Sequence, residues 1–179
     1  DTAQIRKNVV SRAKELGYTP SSNSAAKATF DLVINNPKIT GVTPDSLTMG
    51  RGHEFTTNFD GTLHTFVCLQ NKTITPTNGT TFLFDDLDIY QGQLSTDVYR
   101  YNGQVSNQRF ALLNTNVDTS TITINVTSNS IVTAWTQAKD LTSITTTSNV
   151  FYIQENDDGL FEIYFGDGII GASPKDGDE

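Results

Sequence analysis

The stretch FYIQENDDGLFEIYFGDGIIG, residues 151–171, decides the fold class of this chain. Two aromatic-rich runs in which apolar residues alternate flank the sequence Asn156-Asp157-Asp158-Gly159. Alternation with a period of two predicts strands, and Asn, Asp and Gly favour turns because they tolerate left-handed backbone geometry. We therefore predict a β-hairpin whose strands are residues 150–153 and the returning LFEIYF run, with Gly159 in the turn.

Five carboxylates fall within this stretch, and they raise the question of a catalytic or metal-binding cluster. Glu155 and Glu162 are predicted to lie near one another across the hairpin, and glycoside hydrolases use two carboxylates at a defined separation. Asp157, Asp158 and Asp167 carry the hard oxygen ligands that calcium prefers, but the EF-hand spacing is absent. The sequence favours a charged hairpin tip, so we predict no catalytic residue, no bound metal and no cofactor.

A helix is predicted only at the amino terminus. Within DTAQIRKNVVSRAKELGY, four apolar residues recur on one helical face, and they are Ile5, Val9, Ala13 and Leu16. Gly17 stands where a left-handed residue ends a helix, and Pro20 restricts the residue before it. We predict a helix over residues 1–18, followed by a mainly β domain over residues 19–179.

The remaining chain favours antiparallel strands joined by tight turns. AKATFDLVIN alternates like a strand, and Asp60-Gly61 between HEFTTNF and TLHTFVCLQ is the signal of a two-residue hairpin turn. STITINVTS is a further strand, whereas SIVTAWTQAKDLTS fits either a strand with a turn or a short helix. The predicted fold is mainly β, an antiparallel β-sandwich-like domain with hairpins and one amino-terminal α-helix.

Composition narrows the classes of function. The 179 residues have a net charge of −8, which disfavours a nucleic-acid partner because such binding needs a basic face. Residues 1–40 hold six Lys or Arg against three acids, whereas residues 150–179 hold eight acids against one lysine. The single cysteine, Cys68, excludes an internal disulfide framework. No apolar run approaches the length of a membrane-spanning helix, so we predict no membrane partner.

Three blocks of the sequence, in the same order, resemble the baseplate wedge proteins of T-even-like contractile-tailed bacteriophages and the wider baseplate J-like group. The closing FYIQENDDGLFEIYFGDGIIG resembles the family pattern of an aromatic strand, a short acidic turn and a YFGDG strand end. The opening IRKNVVSRAKELGYTPSSNSAAKA resembles the family's helix, its GY-x-P break and its entry into a strand. Between them, LTMGRGHEFTT resembles a stretch in which Gly52 precedes the aromatic Phe55.

The resemblance implies a structural component of the virion, located in the phage tail baseplate and assembled in the host cytoplasm. It implies no enzymatic activity, an inner baseplate ring formed by subunit contacts, and partners that are a second copy (a homodimer) and other baseplate wedge proteins. Family chains are longer at both ends, so this chain is expected to be a middle fragment. The helix supplies the interface candidates, which are Ile5, Arg6, Val9, Arg12 and Leu16.

Six glycines are assigned to structural turns, Gly61 and Gly159 from the hairpin signals and the other four from the resemblance. The full set is Gly17, Gly52, Gly61, Gly159, Gly166 and Gly168. We also expect the basic helix to contact an acidic surface of a partner. The alternative function is a carbohydrate-binding or adhesive β-sandwich module, for which a groove lined by exposed Tyr or Trp would be the sign. Trp135, the only tryptophan, is expected to pack in a core or an interface.

Overall fold

The computed structural model describes residues 6–15 and 21–179, without the side chains at positions 6, 7 and 14. One helix, α1 (Arg6–Glu15), precedes all the strands. The strands are β1 (Lys27–Asn35), β2 (Leu47–Met49), β3 (Glu54–Phe59), β4 (Thr62–Cys68), β5 (Lys72–Ile74), β6 (Thr81–Gln91), β7 (Phe110–Ala111), β8 (Ile124–Ser128), β9 (Ile131–Gln137), β10 (Val150–Glu155) and β11 (Phe161–Phe165). The predicted mainly β fold with hairpins and one amino-terminal helix is confirmed.

The chain divides into two compact units. Unit 1 consists of Asp1–Ser24 and Asp97–Glu179, and unit 2 consists of Ala25–Thr96. Each unit has its own sheet and its own cluster of buried apolar side chains. The boundary between residues 18 and 19 that the sequence suggests stays a prediction.

Unit 2 is built on a four-stranded antiparallel sheet with the strand order β1-β6-β4-β3, and β2 pairs separately with β5. The predicted two-residue turn joins β3 to β4. Asp60 and Gly61 both have positive φ, 51° and 74°, which is the geometry of a primed turn that matches strand twist. The buried members of the unit 2 core are Met49, Cys68, Phe84, Leu87 and Ile89.

The apolar residues of β6 change phase in the middle of the strand. Four of them are buried, on both sides of the change, and they are Phe82, Phe84, Leu87 and Ile89. In a regular strand an odd separation puts side chains on opposite faces, so one extra residue is needed to keep all four on the core side. Asp86, with a φ of 47°, lies at a β-bulge, and its N–H donates to the Asp31 carboxylate at 2.9 Å.

Unit 1 contains a five-stranded sheet with the order β7-β11-β10-β9-β8. This sheet departs from the expected antiparallel arrangement at one place, because β9 and β10 run parallel, with Val150 opposite Thr136. The connection between these strands allows it, since a parallel pair needs a crossover and cannot be joined by a tight hairpin. The ambiguous SIVTAWTQAKDLTS segment forms β9 and then a single 3-10 turn at Leu141–Ser143.

The core of unit 1 is aromatic. Its buried members are Val126, Trp135, Phe151, Ile153, Phe161 and Ile163. The Trp135 ring lies edge-on to Phe165, with 5.0 Å between ring centroids, and its side chain is only 7% exposed. Trp135 therefore packs in the core, as expected, and does not form an exposed sugar-binding platform.

The buried side of helix α1 differs from the apolar stripe that the sequence predicted, which included Val9. Val10 is 7% exposed and buried, whereas Val9 is 50% exposed. Ile5, Leu16 and Gly17, which were assigned to the same stripe and to the end of the helix, lie outside the described residues.

Candidate assembly surface

The pairing register of β10 with β11 sorts the side chains of this hairpin onto two faces. Phe151 lies opposite Phe165, and Ile153 lies opposite Ile163, on the face that builds the core. Tyr152 lies opposite Tyr164 on the other face, where the two rings stack with centroids 5.1 Å apart. Because opposite residues share a face and neighbouring residues alternate, the register determines which side chains pack in the core and which lie on the outer face.

The expectation that Glu155 and Glu162 lie near one another is wrong. Glu155 is opposite Phe161 and buried, whereas Glu162 is opposite Gln154 on the outer face. The reason is the length of the turn, because the N–H of Asn156 bonds the carbonyl of Leu160 and closes a five-residue loop. An odd loop shifts the register by one residue relative to a two-residue tip, and such a shift moves a side chain to the other face.

The outer-face carboxylate of Glu162 is engaged by its neighbours. Asn156 Nδ2 donates to Glu162 Oε1 at 3.0 Å, and Arg109 Nη1 lies 3.8 Å from Oε2. The Arg109 guanidinium also lies over the Tyr164 ring, 4.6 Å from its centroid. These contacts join the end of the hairpin to the segment that precedes β7 and give Glu162 a structural role.

The acidic turn is organised by its asparagine. The Asn156 side-chain oxygen accepts hydrogen bonds from the N–H groups of Asp158 and Leu160, both at 2.9 Å. Gly159 completes the turn with a φ of 80°. Within residues 6–15 and 21–179, no group of three His, Cys, Asp or Glu side chains is placed to hold a metal ion.

Residues 166–171, which we call the glycine loop, follow β11 and form the most sterically constrained turn of unit 1. A Cβ atom on Gly166 would lie 2.5 Å from the carbonyl carbon and oxygen of Gly171, which is closer than any side chain tolerates. Gly168 and Gly171 have φ values of 85° and 86°, and the Gly168 N–H donates to the Gly171 carbonyl at 3.0 Å. Glycine is therefore required at 166 for space and at 168 for backbone geometry.

Asp167 fixes the inside of the glycine loop. Its carboxylate accepts hydrogen bonds from the N–H groups of Ile169 at 2.8 Å and of Ile170 at 3.1 Å. These backbone hydrogen bonds hold the pKa of the Asp167 carboxyl below its usual range, because they favour the charged form.

The glycine loop is also tied to the strands and the segment beside it. The Gly171 N–H donates to the Thr145 carbonyl at 3.2 Å, and the Ala172 N–H donates to the Ser148 carbonyl at 2.8 Å. The Tyr152 hydroxyl donates to the Ile170 carbonyl at 3.2 Å, and burial raises the pKa of this phenol. Hydrogen bonds with three residues, Thr145, Ser148 and Tyr152, therefore fix the backbone at the end of the loop.

This constrained loop presents two large apolar side chains to solvent. Ile169 is 73% exposed and Ile170 is 53% exposed. Single exposed apolar residues are ordinary, but two adjacent isoleucines on a fixed backbone form an apolar protrusion. A protrusion that is already ordered loses little conformational entropy on binding, which favours its use as a contact.

The sequence pointed to Gly166 and Gly168 but not to the two isoleucines that follow Gly168. The available signal was the composition of the turn, because FGDGIIG places Ile-Ile where polar residues are usual.

On helix α1, Val9 and Arg12 lie on the exposed side, and the Arg12 guanidinium bonds Glu15 at 2.8 Å. The interface role of the helix residues stays a prediction.

None of the helices within the described ranges is long and apolar enough to cross a membrane.

The chain is similar to known proteins over most of its length. Residues 95–178 match the sequence model of a family described as bacteriophage baseplate wedge protein gp6, third domain. The matched range begins close to the start of the second segment of unit 1, at Asp97. Over 179 residues, 98% of the chain, the sequence is 26% identical to baseplate wedge protein gp6 of Enterobacteria phage T4. The chain spans about a quarter of the length of that relative, 26%.

The two glycines of the loop are expected to respond differently to the same substitution. Gly166→Ala should destabilise unit 1 by about 3 kcal/mol, because the added Cβ meets backbone atoms that cannot rotate away. Gly168→Ala should cost only roughly 1 kcal/mol, since nothing lies within 4 Å and only the left-handed geometry is unfavourable. Urea unfolding followed by Trp135 fluorescence measures both, and equal losses would contradict this steric account.

The Asp167 contribution is expected to depend on pH. Its pKa in the folded state is depressed, so its stabilisation is present above the unfolded pKa, near 3.8, and is lost as the pH falls through the folded pKa. Asp167→Ala should therefore lower the urea midpoint at pH 7, and the difference from the parent protein should shrink towards pH 3. Asp157→Ala, an exposed aspartate of the preceding turn, is the control and should leave the midpoint unchanged.

Proposed function

We propose that this chain is one of the bacteriophage baseplate wedge proteins of the virion tail and that it acts as a structural subunit that assembles without catalysis. The match of residues 95–178 to the wedge domain model and the similarity to the phage T4 protein support this proposal. The finer part of the proposal is that the subunits form the inner ring of the baseplate. The partners are a second copy of the chain and other baseplate wedge proteins.

The glycine loop is the observation that carries this proposal. Its backbone is fixed by the close approach of Gly166 to Gly171 and by the Asp167 side chain, and its only large side chains are exposed isoleucines. In a protein whose task is assembly, such a feature supplies an ordered apolar anchor at little entropic cost. Completing the burial of both side chains in a contact would contribute roughly 1–2 kcal/mol each, because both are already partly covered.

The amino-terminal helix supplies a second proposed contact. Its candidate residues are Ile5, Arg6, Val9, Arg12 and Leu16, and Val9 is half-exposed while Arg12 carries a side chain that is 81% exposed. An apolar residue beside an exposed guanidinium suits a partner surface that has an apolar centre and acidic residues at its rim.

The acidic residues support a structural role for the hairpin. Glu155 and Glu162 lie on opposite faces of the β10–β11 ladder, so they cannot flank one substrate as a pair of catalytic carboxylates does. Asp167 is committed to two backbone N–H groups, and its depressed pKa is the opposite of what a general acid needs.

Removal of the protruding side chains tests the role of the loop. Ile169→Ser with Ile170→Ser in the full-length protein should weaken its association with the other wedge proteins by at least about tenfold, because apolar contact area is lost. Thermal unfolding should be unchanged, since both side chains are exposed. Association is measured by sedimentation velocity, and assembly is measured by complementation of a phage that lacks the protein.

The matched control is Ile131→Ser, because Ile131 is 68% exposed in the same unit but lies beside the β8–β9 turn. It should leave association and complementation at the level of the parent protein. Normal assembly of the double variant would overturn the role of the glycine loop. A defect of equal size in the Ile131→Ser control would also overturn it, because the loss would then not depend on where the exposed isoleucine lies.

A further inference from the structure

Most of the sheet edges in the described part of the chain are short, charged or covered. Strand β7 has two residues, and β1 carries the charges of Lys27 and Asp31. The β8 edge is covered at Thr127, whose N–H and carbonyl exchange hydrogen bonds of 2.6 and 3.1 Å with Glu179. Natural proteins use these devices to prevent unwanted strand pairing.

Strand β3, Glu54–Phe59, is the exception. It forms the edge of the four-stranded sheet, has six residues, and contains no proline, glycine or charge after Glu54. Its residues are exposed except Phe55, which is half-buried, and Phe59 at its end is 74% exposed. An extended edge of this kind is a template for another strand.

The hydrogen-bond pattern of the β3–β4 hairpin shows which groups face outward. The Cys68 N–H donates to the His53 carbonyl at 2.9 Å, and Phe59 lies opposite Thr62 beside the two-residue turn, so the odd residues bond β4. The even residues Glu54, Thr56 and Asn58 therefore direct their N–H and carbonyl groups away from β4. No backbone hydrogen bond from another described segment reaches them.

We propose that β3 pairs antiparallel with β3 of a second copy, around a two-fold axis at Thr56. This inference deepens the proposed function, because it rests on the homodimer and names the surface that forms it. It joins two four-stranded sheets into one continuous sheet through roughly six backbone hydrogen bonds, two at each of three outward-facing residue pairs.

The side chains favour this register over the one centred on Glu54. Centring on Thr56 places Thr56 against its own copy, and places the Glu54 carboxylate beside the Asn58 amide of the second copy, an acceptor beside a donor. Centring on Glu54 would instead oppose two carboxylates and lose part of the overlap. The favoured register makes the contact self-complementary, as a two-fold interface requires.

The same register accounts for the exposed aromatic residue at the end of the strand. Phe59 of one copy falls opposite His53 of the other, and His53 is itself exposed and lies edge-on to Phe55 at 5.1 Å between ring centroids. Aromatic pairs across neighbouring strands stabilise a sheet. The pairing therefore covers Phe59 at both ends of the interface.

Two adjacent threonines provide a position-specific test. In the proposed register, Thr56 lies opposite itself in a hydrogen-bonded pair, with a Cα separation of about 5.5 Å, which suits a disulfide. Thr56→Cys in the full-length protein should give a disulfide-linked dimer under mild oxidation. Position 57 is exposed as well but falls opposite Phe55 of the second copy, so Thr57→Cys should stay unlinked.

A charge exchange tests the same contact without a cysteine. Asn58→Glu places two carboxylates together and should abolish the cross-link of Thr56→Cys, whereas Glu54→Lys combined with Asn58→Glu should restore it. Equal cross-linking at 56 and 57, or no cross-link at 56 in a protein that light scattering shows to be dimeric, would overturn the β3 pairing and leave the homodimer standing. A monomer at all concentrations would overturn both.

Discussion

The register of the β10–β11 hairpin is the constraint on which unit 1 depends. It sends Phe151, Ile153 and Phe161 into the aromatic core and leaves the Tyr152–Tyr164 stack outside. A slip of one residue would exchange the two faces, so the five-residue loop that sets the register also sets the core. The strand end is fixed by the same pairing, and the glycine loop begins immediately after it.

A rigid scaffold and an apolar protrusion together suit assembly better than chemistry. The acidic groups of this region either lie apart, as Glu155 and Glu162 do, or are bound to backbone N–H groups, as Asp167 is. By contrast, Ile169 and Ile170 stand on a fixed backbone with more than half of each residue exposed. Residues 95–178 match the sequence model of a baseplate wedge domain, and an exposed apolar protrusion fits the assembly role proposed for this chain.

The sequence predicted individual turns and strands well, but it predicted the pairing between strands less well. The Asp60-Gly61 turn followed from residue types, because only certain residues adopt positive φ. The bulge at Asp86 corresponds to a change in the alternation of apolar residues along β6, but it was not predicted from the sequence. The error over Glu155 and Glu162 came from taking an odd loop for an even one, and the parallel pairing of β9 with β10 leaves no trace in periodicity.

The most direct test of the assembly account is a cryo-electron microscopy reconstruction of the intact baseplate at side-chain resolution. The account predicts that Ile169 and Ile170 lie buried against a neighbouring subunit, with the backbone of residues 166–171 as it is in the isolated chain. A reconstruction in which this loop faces solvent in every copy, or is refolded, would contradict the account.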